Sequence, residues 1–180
     1  MLRRALAPPR RRGPCALHMT HAADPIDELE DAAPGRADLR RALKELGAIY
    51  RRADELMAAV SCPRSSRCCR LALTRREPFL LPLERLALAT ALERRGRAWP
   101  SPRSDGACAL LDQDGRGCSI YADRPFGCRT FFCELAQGKA PPNQALHALS
   151  ARMTRASDLI EPAGEPVPIT QLFKPGRNCP

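Results

Sequence analysis

Seven of the nine cysteines in this 180-residue chain fall within 72 residues, as Cys62, Cys68, Cys69, Cys108, Cys118, Cys128 and Cys133. Thiols this dense constrain a fold more than any other feature here: they ligate metal, pair as disulfides, or pack as small apolar side chains. The vicinal pair Cys68-Cys69 and the odd number in the cluster fit disulfide pairing poorly. Thiolate sulfur is a soft ligand suited to zinc, Cu(I) and iron–sulfur clusters. The histidines His18, His21 and His147 lie outside the stretch, and no carboxylate pair stands in a catalytic motif. The chemistry expected is therefore sulfur-ligated metal chemistry, or a scaffold built on it.

The rest of the composition agrees. The chain is 44% hydrophobic but only 4% aromatic, so a large aromatic core is not available to it. A metal site offsets a thin core, because binding to a site absent from the unfolded chain becomes folding free energy. The net charge is +9, but residues 1–18 hold Arg3, Arg4, Arg10, Arg11 and Arg12 with no acid, which leaves only +4 for the remainder. Such basic tails bind nucleic acid or anionic surfaces, yet their composition is also that of a disordered leader, with Met19 as a candidate start. The leader lacks the apolar run of a secretory signal, and no segment reaches the length of a membrane span. The expectation is a cytoplasmic protein, a compartment where thiols stay reduced.

Organisation follows periodicity. Residues 1–36 carry five prolines without sustained pattern and read as a disordered basic tail. From Asp38, a plausible N-cap, Leu39, Leu43, Leu46, Tyr50, Ala53, Met57 and Val60 repeat in steps of four and three, which predicts a helix delivering Cys62 to the site. A second helix is bounded by Pro82 and Gly96, with Leu83, Leu86, Ala87, Ala91 and Leu92 on one face and Glu84, Arg85, Glu93, Arg94 and Arg95 polar. Residues 112–117 read as a tight turn without the spaced acids and terminal Glu of a calcium loop. A third helix starts near Asn143, with Leu146, Leu149, Met153, Ala156 and Ile160 as its stripe, and stops before Pro162. The expected fold is mainly α: a small helical domain over 37–161 with cysteine-rich loops around a metal or Fe–S site, and an extended Pro-rich tail over 162–180.

The cysteine spacings are neither the Cys-x2-Cys pairs of zinc fingers nor the runs of ferredoxins, so spacing alone names no metal. Cys118-Ser119-Ile120-Tyr121-Ala122-Asp123-Arg124-Pro125-Phe126-Gly127-Cys128-Arg129, however, resembles the C-x-I-Y-x-x-R-P-x-x-C-R signature of the YkgJ-like cysteine-cluster proteins. Their upstream motif is CxxCxxCC, and Cys62, Cys68 and Cys69 stand in three of its four cysteine positions. The resemblance spans roughly residues 60–135. It implies zinc or iron chelation by the seven cysteines, and flagellin N-methylase is a relative of that group. Ser65 stands where the second cysteine of the motif belongs, so a full eight-thiolate set cannot form from this block. Seven thiolates would divide as four closing one zinc or [4Fe–4S] site plus three leaving a position open. The alternative is that only four bind and the others are buried apolar thiols.

Ten arginines lie between Arg64 and Arg103 against three acids, Glu77, Glu84 and Glu93. Guanidinium groups lower neighbouring thiol pKa values and compensate thiolate charge. Arg124 and Arg129, which flank Cys128, are the expected cofactor-facing pair, and Tyr121, Phe126, Phe131 and Phe132 are the expected apolar shell of the site. Trp99 reads as a loop anchor, and Cys15 and Cys179 receive no role. The leading expectation is a metal-binding protein holding zinc or an iron–sulfur cluster. The alternatives are an Fe–S-dependent redox or methyl-transfer enzyme, without a GxGxxG cofactor loop, and a zinc-stabilised module that binds protein. Nucleic acid is a weaker partner because no aromatics interleave the arginines of residues 62–78.

Overall fold

The computed structural model describes residues 35–63 and 65–174. Apart from Gly35 and Arg36, the stretch read as a disordered leader lies outside those residues, as do Cys15, Arg64 and Cys179. The described chain is mainly α, with six α-helices and four two-residue strands.

Helix α1 spans Arg36–Leu56 and begins before the expected cap. Gly35, at φ 106, takes the N-cap in a left-handed conformation that glycine adopts at little cost. Asp38 instead lies in the first turn, where its carboxylate faces the positive end of the helix. The buried row is Ala42, Leu46, Ile49 and Ala53, while Leu43 is 40% exposed. The sequence carries two apolar rows that share Leu46 and Ala53, and helix α5 (Asn143–Asp158) packs on the smaller one. Alanine at 42 and 53 lets the two helices approach; Leu149, Met153 and Ala156 of α5 fill the seam.

Helix α3 (Pro82–Arg94) has Pro at its first turn and Gly96, at φ 59, just beyond its end, as its sequence predicts. It separates two cores. Leu83 joins the α1–α5 seam, whereas Leu88 and Leu92 join a second cluster of Cys69, Leu71, Leu80, Cys108, Leu110, Leu111, Ile120, Ile169 and Phe173. The second core is thus built largely from loops, and two of its members are thiols.

Two short pairings close those loops. Strand β1 (Val60–Ser61) pairs antiparallel with β3 (Gln137–Gly138), and β2 (Phe79–Leu80) with β4 (Val167–Pro168). Gly138 has φ 102, and a Cβ there would stand 2.1 Å from the Ala59 carbonyl oxygen, so the β1–β3 pair requires glycine. The stretch after residue 162, expected as an extended tail, packs instead. Helix α6 (Ile169–Leu172) follows β4, and Ile169 and Phe173 are buried. Trp99 anchors this end: its indole N–H donates to the Leu172 carbonyl at 3.2 Å and its ring lies 5.3 Å from that of Phe173. No helix among the described residues is long and apolar enough to cross a membrane.

Candidate metal centre

The two cysteine blocks are brought together by backbone hydrogen bonds. After β1 the chain passes Cys62, turns at Ser66 in a left-handed conformation (φ 55), and forms a 3-10 turn over Arg67–Cys69. Ser66 Oγ donates to the Gly115 carbonyl at 2.8 Å, and the Cys108 N–H donates to the Cys69 carbonyl at 2.8 Å. The turn at 112–117 forms as its sequence predicts. Asp112 Oδ1 accepts the Arg116 and Gly117 N–H groups at 2.8 and 3.0 Å, and Leu111 bridges to Cys118. Residues 121–123 then make a second 3-10 turn, and Cys128 rides on the single-turn helix α4 (Phe126–Arg129).

All seven clustered cysteines line one open cavity of about 460 Å³. Its walls are otherwise mostly apolar, with Met57, Val60, Leu71, Ile120 and Phe131 among them. Ser65, in place of the missing cysteine, lines it too. The thiols are all free; Cys69 and Cys108 are buried, Cys68, Cys118, Cys128 and Cys133 half-buried, and Cys62 exposed. Among the described residues no group of three or more His, Cys, Asp or Glu side chains could hold a metal ion as placed.

Five thiols nevertheless influence one another electrostatically. The Cys69 S–H is shared between Cys118 and Cys68, and these hydrogen bonds drive Cys69 far above the ordinary thiol range. The same bonds stabilise the partner thiolates. Cys68 falls to about 6, helped by the Arg124 charge, and Cys118 is lowered for the same two reasons. Burial dominates the other two: Cys108 is pushed up to about 11, and Cys128 well above its usual value.

The two arginines expected to face a cofactor part company. Arg129 is a clamp. Its Nε donates to the Arg124 carbonyl at 2.7 Å, Nη1 to Asp54 Oδ2 at 2.7 Å, and Nη2 to the Ala122 carbonyl, while its guanidinium lies 4.2 Å from the Tyr50 ring centroid. Those bonds tie the Cys118–Cys128 loop to α1. Arg124 lines the cavity beside Cys68 and Cys118, stacked 3.7 Å from the Tyr121 ring centroid. Its Nε is a buried atom without a hydrogen-bond partner among the described residues.

Glu84, expected on the polar face of its helix, is 3% exposed. Its Oε1 accepts the Phe126 N–H at 2.7 Å and the Tyr50 hydroxyl at 3.2 Å; Oε2 accepts the Leu81 N–H at 3.3 Å. One carboxylate thereby joins α1, the start of α3 and the start of α4. Burial raises its pKa, against the pull of those donors. The Glu at the third helical position is a sequence signal for a capping box, but its reach to Phe126 depends on the tertiary fold. Of the expected aromatic shell, Tyr121 and Phe131 line the cavity, while Phe126 packs into the α1–α3–α5 core.

No curated protein and no solved structure matches the chain. Residues 61–145 match the family CxxCxxCC, described as a "Putative zinc- or iron-chelating domain". The matched segment contains every cavity cysteine, so the chain is similar to this family over its cysteine cluster.

Proposed function

We propose that this domain chelates zinc or iron through the thiolates of Cys62, Cys68, Cys69, Cys108, Cys118, Cys128 and Cys133, in a reducing, cytoplasmic setting. The observation that carries the reading is the gathering of all seven cysteines, from two blocks nearly 40 residues apart, on the wall of one cavity. A protein that needed cysteines only as small apolar side chains has no reason to leave Cys62 exposed and four more half-buried on the wall of an open cavity. The donor set fits soft or borderline metals. Cys68, Cys69, Cys108, Cys118 and Cys128 form the inner group, and Cys62 and Cys133 stand on segments joined by the β1–β3 pair. A metal bound here would supply Lewis acidity or, as a cluster, electron storage. The residues around it hold it, exclude water with apolar walls, and compensate thiolate charge through Arg124.

Seven thiols on one cavity wall exceed the four that close a single tetrahedral ion, which favours a polynuclear centre. Metal and acid-labile sulfide measured on the full chain purified without oxygen test the reading. Bound zinc or iron that is lost in Cys118→Ser is the expected result; protein that takes up neither metal after reconstitution would overturn it.

A further inference from the structure

Arg124 carries the one feature of the cavity that thiolate chelation alone does not explain. Buried polar atoms are almost always hydrogen-bonded, and an exception marks a place for a water, an ion or a functional partner. Among the described residues, Arg124 Nε is the buried side-chain nitrogen or oxygen without such a bond. Its neighbour in the motif, Arg129, shows the contrast, with all three guanidinium nitrogens bonded. The Tyr121 face fixes the Arg124 cation by quadrupole attraction but offers no lone pair in the guanidinium plane. Arg124 lowers the pKa of Cys68 and Cys118 through space, yet neither sulfur accepts its Nε–H.

What could accept it at this place is narrow in chemistry. A bare zinc ion has no lone pair to offer and is repelled by a guanidinium. An inorganic sulfide is an anionic acceptor, and hydrogen bonds to cluster sulfurs are a recognised determinant of cluster potential. The cavity of about 460 Å³ has room for a multi-atom centre, and seven thiols line it, more than one ion takes.

We infer that Arg124 donates its Nε–H to an inorganic sulfide of an iron–sulfur cluster held by the surrounding cysteines, and so selects a cluster over a lone zinc ion. This rests on the thiolate-chelation reading and specifies it. Tyr121, by stacking, is the residue that holds the donor in place.

The test compares wild type with Arg124→Lys and Arg124→Met, each as the full chain, reconstituted without oxygen with ferrous iron and sulfide or with zinc alone. Iron, zinc and sulfide contents and the reduction potential are measured, and far-UV circular dichroism of the metal-free proteins checks the fold. Wild type should hold sulfide together with iron. In Arg124→Met the potential should shift to a more negative value, because a donor and a positive charge near the reduced cluster are lost. Arg124→Lys keeps the charge without the Nε–H and should shift it less. Cluster loss in either variant with zinc uptake retained also supports the inference. Wild type that binds zinc or iron but never sulfide overturns it and leaves thiolate chelation standing. An unchanged potential and unchanged cluster content in both variants overturns the hydrogen bond. Wild type that binds no metal overturns the underlying reading as well.

Discussion

A proton held by Cys69 between Cys68 and Cys118 gives three sulfurs of one kind three different acidities. Cys68 is lowered to about 6, so its thiolate is populated above that pH and is protonated only below it. In metal-free protein, alkylation of Cys68 by iodoacetamide should rise through about pH 6 and level off by neutral pH. Cys69→Ala removes the donated S–H and should move that midpoint back toward the ordinary thiol range, about 8.5; peptide-resolved mass spectrometry follows both. On the proposed chelation, the same residues differ as ligands. Serine is a poor ligand for soft metals, so Cys69→Ser and Cys118→Ser should remove most bound metal. Cys62 is exposed at the cavity rim, and Cys62→Ser should lose a smaller share. Equal losses in all three, read by elemental analysis, would erase the distinction between inner and rim sulfurs.

Whole elements are held in place by polar groups and by one glycine. Glu84 is the acceptor for Leu81, Phe126 and Tyr50, which come from three different segments. Glu84→Gln keeps the shape but turns an NH2 toward one of those donors. A buried donor left without an acceptor costs about 1–3 kcal/mol. Urea denaturation of the metal-free protein should show that loss, and the Tyr50→Phe variant, which removes only one donor, should lose less. Arg129→Met leaves the Ala122 and Arg124 carbonyls and Asp54 without a donor, and should cost on the order of 3 kcal/mol. Because Asp54 is half exposed, water can serve it; the two carbonyls carry most of the penalty. Gly138→Ala places a Cβ against the Ala59 carbonyl and should break the β1–β3 pair. Faster hydrogen exchange at Val60 and Gly138 would report it.

On the scale of the molecule, the two cores differ in what stabilises them. The α1–α3–α5 seam is a helix-packing core of aliphatic side chains, whereas the second core joins one face of α3 to loops and short turns and includes Cys69 and Cys108. Metal binding contributes folding free energy where the ligands are. Stripping metal with a chelator should therefore speed amide exchange over residues 108–120 while the amides of α1 and α5 keep most of their protection. Uniform loss of protection across both cores would show that they unfold as one unit. The packed end of the chain belongs to the second core as well, since Ile169 and Phe173 are buried there and Trp99 bonds to Leu172.

The three long helices, the turn at 112–117 and the identity of the thiol-bearing segments are readable from local pattern, because periodicity and proline and glycine punctuation act over a few residues; the single-turn helices α2 (Leu71–Thr74), α4 and α6 are not. The row of α1 that faces inward was not: Leu39-Leu43 and Ala42-Ile49 compete on one helix, and only packing against α5 chose the smaller side chains. Nor was the fate of the last described residues, whose two-residue pairing with Phe79–Leu80 is too short to announce itself in composition. The division of labour between Arg124 and Arg129, and the burial of Glu84, also waited on the fold. Sequence sets which chemical groups are present and their local geometry; whether a charge meets a carbonyl, a carboxylate or a cavity is decided by segments distant in the chain.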